Sequence, residues 1–248
     1  MGGAAGRRAD VIAIVDYGMG NLRSVEKAFH LLGHPAGIAK VPDAARFADG
    51  IVLPGVGAFA RAMENLAARG FDRVILDAIK EGKPFLGICL GLQLLFKESE
   101  EFGRVRGLGV IPGRVIRFAG PQFTRQAGAP APLKVPHMGW NDIAHRDDVP
   151  HLQGVPPGAM FYFVHSYHGV PEDDSWIAAT THHGIEFVSA VRRENIFASQ
   201  FHPEKSGAVG LQVLKNFAEL VHGASAPASP PGATGRAPRS ETRFPEWK

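Results

Sequence analysis

The sequence contains only one cysteine, Cys89, in 248 residues, which excludes an internal disulfide bond. A single free thiol is typical of the reducing cytoplasm rather than of secreted proteins. No apolar run approaches the roughly 20 residues that a membrane-spanning helix needs. The start of the chain carries Arg7 and Arg8 without the apolar core of a secretory signal. These absences predict a cytoplasmic protein.

An excess of charge of one sign is also absent. Lysine and arginine number 27 against 24 aspartate and glutamate residues, and the formal net charge is only +3. Much of the basic excess lies near the two ends of the chain, with no basic patch and interleaved aromatic residues between them. We therefore expect neither nucleic acid nor a membrane as a partner. Because 45% of the residues are hydrophobic, the chain can bury a sizeable core.

Short apolar runs and helical patterns alternate in the first half of the sequence. Continuous apolar runs are typical of strands buried on both faces of a parallel sheet, and they occur at residues 11–15, 36–40, 50–54 and 85–88. Amphipathic spacing predicts helices at residues 22–32, 59–69 and 74–80. The alternation predicts an α/β fold with a central, largely parallel sheet flanked by helices.

The second half has runs rich in β-branched and aromatic residues, which are typical of antiparallel hairpins and would cover the sheet. Strands are predicted at residues 105–118, 133–136, 160–164, 176–181, 187–192 and 195–201, followed by a helix at 210–222. Residues 119–132 are rich in Gly, Pro and Ala and are predicted to form a surface loop. One domain is predicted over residues 10–222, between a flexible tail at 1–9 and a tail at 223–248 with a disordered composition.

Cys89 lies between Gly87 and Gly91 at the end of a predicted strand. Small residues two positions either side of a nucleophile allow the sharp strand-to-helix turn called a nucleophile elbow. The apolar spacing after Cys89 predicts a helix over residues 90–98. The alternative is a small buried core residue, which is a common environment for a free cysteine. A partner base elsewhere in the chain would decide between the two.

His202 and Glu204 follow the last predicted strand, at the same edge of the sheet as Cys89. A histidine there could take the thiol proton and return it to a leaving amine, while a carboxylate binds the far ring nitrogen and sets its tautomer. The alternative for this His-Pro-Glu segment is a turn with a solvated carboxylate. Together with Cys89, the pair predicts a cysteine nucleophile with its base.

Backbone N–H groups near Cys89 are candidates for stabilising an oxyanion. Val56 and Gly57 lie in the glycine loop after the strand at 50–54, and Leu90 directly follows the cysteine. Taken alone, the loop favours a plain tight turn. Phosphate binding is less favoured still, because no Lys-Ser or Lys-Thr pair follows the glycines.

The segments around Cys89 and His202, with the Pro-Gly-Val-Gly segment at 54–57, resemble the triad and oxyanion strand of class I glutamine amidotransferases. The resemblance extends over residues 11–221 and implies a flavodoxin-like fold. It also implies that glutamine is hydrolysed without a metal or an organic cofactor.

Three further segments narrow the resemblance. Residues 15–22, 136–141 and 162–167 resemble the glutaminase subunits of imidazole glycerol phosphate synthase, in histidine biosynthesis. This implies a heterodimer in which the ammonia passes to a separate, barrel-shaped cyclase subunit. That partner is implied to form imidazole glycerol phosphate and aminoimidazole carboxamide ribonucleotide.

The resemblance also implies roles for matching positions. Cys89 is implied to be the nucleophile that forms a glutamyl thioester, His202 the acid and base, and Glu204 the group that orients it. The implied oxyanion residues are Val56, Gly57 and Leu90, the implied glutamine contacts are Gln93, His165, Ser166 and Tyr167, and the implied interface and ammonia-exit residues are Met138, Trp140, Asn141, Tyr162 and Lys205.

Two other functions stay open at this point. The chain could be the glutaminase subunit of another class I amidotransferase, for example in pyridoxal phosphate synthesis, although residues 136–141 favour the synthase. It could also be a catalytically silent regulatory homologue, which the intact Cys89, His202 and Glu204 disfavour. The segment at 119–132 is longer than the family's usual connection, and both tails are additional.

Overall fold

The computed structural model of the chain describes residues 11–126 and 131–224. The predicted N-terminal tail, nearly all of the predicted C-terminal tail and part of the predicted loop at 119–132 lie outside these residues. The last helix extends to Ala224, so the helix, and not the tail, includes Gly223. The described part of the loop contains one short 3-10 turn, Pro121–Phe123.

Strands and helices alternate through the first half of the chain, as predicted. The elements are β1 (Ile12–Val15), α1 (Leu22–Leu31), β2 (Ala36–Ala39), α2 (Pro42–Arg46), β3 (Gly50–Gly55), α3 (Phe59–Ala68), α4 (Phe71–Lys80), β4 (Phe85–Cys89) and α5 (Leu90–Gln93). The short helix α2, which begins with a proline at its first position, has no counterpart among the predicted elements.

The second half consists mainly of short strands before one long helix. The elements are β5 (Phe96–Ser99), β6 (Val105–Arg106), β7 (Ile111–Arg117), β8 (His137–Asp142), β9 (Ala144–His145), β10 (Met160–His165), β11 (Tyr167–Pro171), β12 (Ile177–His182), β13 (Glu186–Arg193), β14 (Ile196–Ser199) and α6 (Gly207–Ala224).

The central sheet has eight strands in the order β2-β1-β3-β4-β14-β13-β12-β9. The strands from β2 to β14 in this order run parallel, whereas β13, β12 and β9 continue the sheet in antiparallel pairs. The predicted α/β fold is therefore confirmed. The prediction that the hairpin strands cover the sheet is wrong for β12 and β13, because they belong to the central sheet itself, whereas β14 lies next to β4 as the position of His202 requires.

Two smaller sheets hold the other strands, in the orders β11-β7-β5-β6 and β10-β8. The hydrophobic core lies in two layers, one on each face of the central sheet, because alternate side chains of a strand point to opposite faces. Ile12 and Ile14 of β1 belong to the layer that contains residues of α1 and α6, and Val15 belongs to the layer with α3 and α4. None of the helices in the described ranges has the length and hydropathy needed to cross a lipid bilayer.

The predicted helix at 90–98 is wrong, because only its first turn is helical. The chain leaves α5 after Gln93, and β5 begins at Phe96. The carbonyl oxygen of Leu94 accepts a hydrogen bond from the N–H of Leu108 at 2.8 Å, and that of Leu95 accepts from Val110 at 2.9 Å. Residues 90–96 are all buried, so their apolar spacing fits a helix and a buried strand equally well.

The predicted strand at 133–136 is also wrong. The strand of this region, β8, begins only after these residues, at His137. Leu133 donates its N–H to the carbonyl oxygen of Gln122 in the preceding loop, at 2.9 Å. Pro136 has no N–H to donate to a strand ladder. β8 instead pairs with β10 along its whole length, from His137 opposite His165 to Asp142 opposite Met160.

His151 makes the stability of this fold sensitive to acid. Its ring is stacked on Phe197, with ring centroids 4.4 Å apart and planes 6° apart, and its Nδ1 has no hydrogen-bond partner among the described residues. Burial, and then the positive charge of Arg192, lower the pKa of His151 to about 3. In the unfolded chain the same imidazole titrates near pH 6.5.

Replacing His151 with phenylalanine is expected to reduce the loss of stability in acid. Below pH 6.5 the unfolded chain binds a proton at His151 that the folded chain does not. This proton favours the unfolded chain, so the free energy of unfolding is unaffected well above pH 6.5 and falls steadily as the pH drops below it. Between pH 6.5 and pH 4 the native protein should lose about 3 kcal/mol more than His151→Phe. Urea unfolding at several pH values measures this difference. Equal losses in the two proteins would contradict the assignment.

Candidate active site

Cys89 ends β4, and α5 begins at the next residue, so the predicted turn from strand to helix is observed. The backbone of Cys89 has φ 56° and ψ −107°, which is an uncommon conformation for a residue other than glycine. Such strained backbone conformations occur at functional sites, and this one is typical of a nucleophile elbow. Only 6% of the residue is exposed.

The glycines on either side of Cys89 are required by close backbone packing. A Cβ atom on Gly91 would lie 1.8 Å from the carbonyl oxygen of Leu53 in β3. A Cβ atom on Gly87 would lie 2.9 Å from both the carbonyl oxygen of Gly91 and the Cβ of Ala198. The Gly-x-Cys-x-Gly pattern therefore lets α5 pack directly on the sheet and hold the thiol at its edge.

His202 and Glu204 lie just beyond the end of β14, which is the parallel neighbour of β4. The Nδ1 atom of His202 and the Oε1 atom of Glu204 are 2.8 Å apart, and both side chains are almost fully buried. The hydroxyl of Ser206 donates to the carbonyl oxygen of His202 at 2.6 Å and fixes the short turn that carries the pair. Because a carboxylate only accepts, Nδ1 carries a proton and Nε2 is left to exchange one with a substrate or thiol.

The surroundings of His202 favour its protonated form. Burial acts against the charge, but the interactions with Cys89 and with the Glu204 carboxylate outweigh it and raise the pKa of His202 to about 10. The Nε2 atom of His202 is buried, and no atom of the described residues is in hydrogen-bonding geometry with it. The ring is therefore arranged to hold a proton taken from the neighbouring thiol and to deliver it elsewhere.

One cavity of about 790 Å³ brings most of the predicted site residues together. Cys89 and His202 line it, and Glu204 lies behind the histidine. All of the predicted oxyanion residues and all of the predicted glutamine contacts also line it, namely Val56, Gly57, Leu90, Gln93, His165, Ser166 and Tyr167. The volume falls within the range typical of small-molecule sites.

The predicted oxyanion loop lies beside Cys89 because β3 and β4 end together. Gly55 pairs in register with Cys89, and a Cβ atom on Gly55 would lie 2.4 Å from the hydroxyl of Tyr17 and 2.9 Å from the Cβ of Leu90. Only glycine permits this approach. Val56, which follows Gly55, and Leu90 therefore line the same cavity as Cys89.

Two of the predicted glutamine contacts have most of their hydrogen-bonding capacity occupied within the protein. The Nε2 group of Gln93 donates to the carbonyl oxygen of Tyr167 and to Oε1 of Gln200, each at 3.0 Å. His165 pairs through Nδ1 with the carbonyl oxygen of Tyr167 at 2.8 Å and through Nε2 with His137 at 3.0 Å. Gln93 can therefore offer a ligand only its Oε1, and His165 only the carbon edge or face of its ring.

Three residues of the cavity have no place in the sequence motifs. Glu101 and Phe102 lie between β5 and β6, and Arg117 ends β7. An Oε2 atom of Glu101 accepts the N–H of Phe59 at the start of α3, at 2.6 Å. These residues come from a separate sheet, and only an acidic and a basic residue at strand ends could have indicated them in the sequence.

The predicted interface residues do not line the cavity but form a surface beside it. Met138 and Trp140 on β8 are exposed, and Tyr162 pairs opposite Trp140 with the ring centroids 6.1 Å apart. The Nζ atom of Lys205 lies 5.9 Å from the ring centroid of Tyr162, and the ring of His202 lies 6.4 Å from the same ring.

Asn141, the remaining predicted interface residue, points inward from this surface. Its Nδ2 group donates to the carbonyl oxygen of His182 at 2.9 Å and lies 3.2 Å from Nε2 of His137. Both of its amide hydrogens are therefore used within the chain.

Comparisons of the sequence with known proteins point to one family. Residues 13–220 match the sequence model of the family described as glutamine amidotransferase class-I. The chain is 54% identical over 210 residues to imidazole glycerol phosphate synthase subunit HisH of Syntrophotalea carbinolica, covering 85% of this chain and all of the relative. It is 54% identical over 209 residues to the HisH subunit of Geobacter sulfurreducens, covering 84% of this chain and 98% of the relative.

Solved structures share the fold at lower identity. The structure of PurLQS from Thermotoga maritima has a TM-score of 0.65 and 19% identity, covering 86% of this chain and 99% of that chain. A crystal structure of a glutamine amidotransferase has a TM-score of 0.63 and 20% identity, covering 85% of this chain and 98% of that chain. From its sequence and its fold, the chain belongs to the class I glutamine amidotransferase family.

Proposed function

We propose that this chain is the glutaminase subunit of an imidazole glycerol phosphate synthase. It hydrolyses glutamine to glutamate and ammonia and passes the ammonia to a separate cyclase subunit in histidine biosynthesis. The observation that carries the proposal is the meeting of Cys89, His202 and the Val56 loop at one cavity, with Glu204 behind the histidine. The relatives' name, held by proteins about half identical to this chain, supports the choice of synthase.

The chemistry follows from the positions of these groups. The sulfur of Cys89 attacks the carboxamide carbon of glutamine, and its proton goes to Nε2 of His202. The resulting oxyanion is stabilised by backbone N–H groups of Val56 or Gly57 and of Leu90. His202 then protonates the leaving nitrogen, ammonia departs, and a thioester remains. Water, deprotonated by His202, attacks the thioester and releases glutamate and the thiol.

The cavity also offers groups that complement the amino-acid end of glutamine. The carboxylate of Glu101 suits the α-ammonium group, and the guanidinium of Arg117 suits the α-carboxylate. The free Oε1 of Gln93 accepts one further hydrogen bond from the substrate. Ser166 and Tyr167 complete the lining on the side of β11. The lining of the cavity therefore favours a zwitterionic amino-acid substrate such as glutamine over an amide without charged groups.

Glu101→Gln is expected to raise the KM for glutamine about 10- to 100-fold while leaving kcat nearly unchanged. The α-ammonium is remote from the reacting carboxamide, so its loss weakens ground state and transition state alike. The variant keeps an oxygen that accepts the N–H of Phe59. Glutaminase assays with the cyclase present measure the effect, and Glu100→Gln, on an exposed neighbour of Glu101, is the matched control. A fall in kcat with an unchanged KM would contradict this role.

The surface beside the cavity is proposed to bind the cyclase subunit, giving a heterodimer. Met138, Trp140 and Met160 are exposed apolar residues on the paired strands β8 and β10. Apolar residues clustered on a surface are typical of interfaces. The ring of Tyr162 lies near both Trp140 and His202, and Lys205 contacts the same ring, so we propose that ammonia leaves on that side.

Reconstitution tests partner, substrate and coupling together. The chain is mixed with an imidazole glycerol phosphate synthase cyclase and its ribonucleotide substrate, and glutamine-dependent product is measured against an ammonium-salt control. We expect product with either nitrogen source, and we expect the isolated chain to hydrolyse glutamine slowly until the ligand-bound partner is added. If product formed with ammonium but not with glutamine, the proposed function would be contradicted. Full glutaminase activity without the partner would contradict the coupling between the two subunits. A cytoplasmic location stays a prediction.

A further inference from the structure

Behind the sulfur of Cys89 lies a buried amide that the sequence motifs do not explain. Gln200 follows β14, two residues before His202, and its side chain is fully buried. Its Nε2 atom lies 3.7 Å from the sulfur of Cys89, within the range for an N–H group that donates to sulfur. Gln200 thus contacts the reacting atom from the same segment that carries the base.

The orientation of the Gln200 amide is fixed by its neighbour. Gln93 donates an N–H to Oε1 of Gln200 at 3.0 Å, so the oxygen must face Gln93 and the NH₂ group must face Cys89. A flipped amide would place two NH₂ groups against each other and an oxygen lone pair against the sulfur. The direction of this donor is therefore decided by the hydrogen-bond network.

Gln93 is itself held in place by a second acceptor. Its other N–H bonds to the carbonyl oxygen of Tyr167, and the same oxygen accepts from Nδ1 of His165 at 2.8 Å. Because that carbonyl can only accept, the tautomer of His165 is set, and so is the direction of its bond with His137. The backbone N–H of Gln200 is anchored to Ser189 at 2.8 Å.

We propose that Gln200 is a catalytic residue that donates an N–H hydrogen bond to the sulfur of Cys89 and stabilises its thiolate. This inference rests on the proposed role of Cys89 as the nucleophile. A hydrogen bond to the charged form of a group favours that form. Unlike His202, an amide does not titrate, so it stabilises the sulfur both before attack and when the thiolate leaves during thioester hydrolysis, whatever the protonation state of His202.

Alkylation of the full-length chain with iodoacetamide tests this directly, because Cys89 is the only cysteine. The rate is measured from pH 5 to pH 10 in the native chain and in Gln200→Met, which is similar in size but lacks the donor. We expect the midpoint of the profile to move up by about one pH unit, so that alkylation below the midpoint slows about tenfold, while the rate at high pH is unchanged. Gln153→Met, on an exposed glutamine, is the matched control.

A second variant separates the donor from packing. Gln200→Glu keeps the shape of the side chain and the oxygen that accepts from Gln93, but places a carboxylate against the sulfur, so its midpoint should move up further than that of Gln200→Met. A midpoint that is unchanged in Gln200→Met, or a loss of rate at every pH, would overturn the proposal. Alkylation needs neither glutamine nor the cyclase, so a failed reconstitution would leave this result standing.

Discussion

Cys89→Ala is expected to lower glutamine-dependent product formation by roughly 10⁴-fold or more, because no other group in the chain can form the thioester. The cysteine is the only one in the sequence, and no second thiol could replace it. The substitution removes one buried sulfur atom from a residue that is 6% exposed, so the fold should persist. Reconstitution with the cyclase, followed by measurement of product, gives the readout.

The same preparation supplies its own control. With ammonium salt as nitrogen source, Cys89→Ala and the native chain should support equal product formation, since the cyclase reaction does not use the thiol. A variant that still supported synthesis from glutamine would exclude Cys89 as the nucleophile. Co-elution of the variant with the cyclase on gel filtration shows that the loss with glutamine does not come from failed binding.

Gly91→Ala is expected to destabilise the protein by about 3 kcal/mol and to lower glutaminase activity at least about 100-fold. The new Cβ atom would lie 1.8 Å from the carbonyl oxygen of Leu53, which is backbone and cannot rotate away. α5 would have to move off β3, and the thiol of Cys89 and the N–H of Leu90 would move with it. Urea unfolding and the glutaminase assay with the cyclase measure the two effects.

A second glycine provides the comparison for that substitution. Gly37 lies in β2, and apart from its own chain neighbours no heavy atom of the described residues lies within 4 Å of the position that an added methyl group would take, so Gly37→Ala adds the same atom without a collision. We expect its stability and activity to stay near those of the native chain. If Gly91→Ala behaved like Gly37→Ala, the close packing between α5 and β3 would not be needed for the elbow.

Most of the central sheet could be predicted from local patterns. The strands β1, β2, β3 and β4 are short apolar runs between glycine turns, and α1, α3 and α4 have the amphipathic spacing of helices packed on a sheet. The pattern failed after Cys89, where residues 90–98 are apolar through most of their length. Leu94 and Leu95 bond to the segment at 107–111, and a contact at that separation leaves no periodic trace in the sequence.

The residues of the candidate site also fall into those that the sequence could predict and those that it could not. Cys89, His202 and Glu204 could be predicted as candidates because each lies at or just beyond the end of a strand and is of a residue type that the chemistry needs. Glu101 and Arg117 could not, since they belong to a separate sheet and reach the cavity only through its packing on the main one. Gln200 was likewise missed, because a buried glutamine gains its role only from the atoms around it.

The sequence by itself determined the α/β alternation, the glycine-flanked turn at Cys89 and the candidate triad residues, because these depend on local spacing and residue type. Only the tertiary structure decided what surrounds the thiol. It placed Gly55 against Tyr17 and Leu90, and it turned the amide of Gln200 toward the sulfur through Gln93. The physical reason is that hydrogen-bond direction and close contact depend on atoms far apart in the chain, as the separation of 111 residues between Cys89 and Gln200 shows.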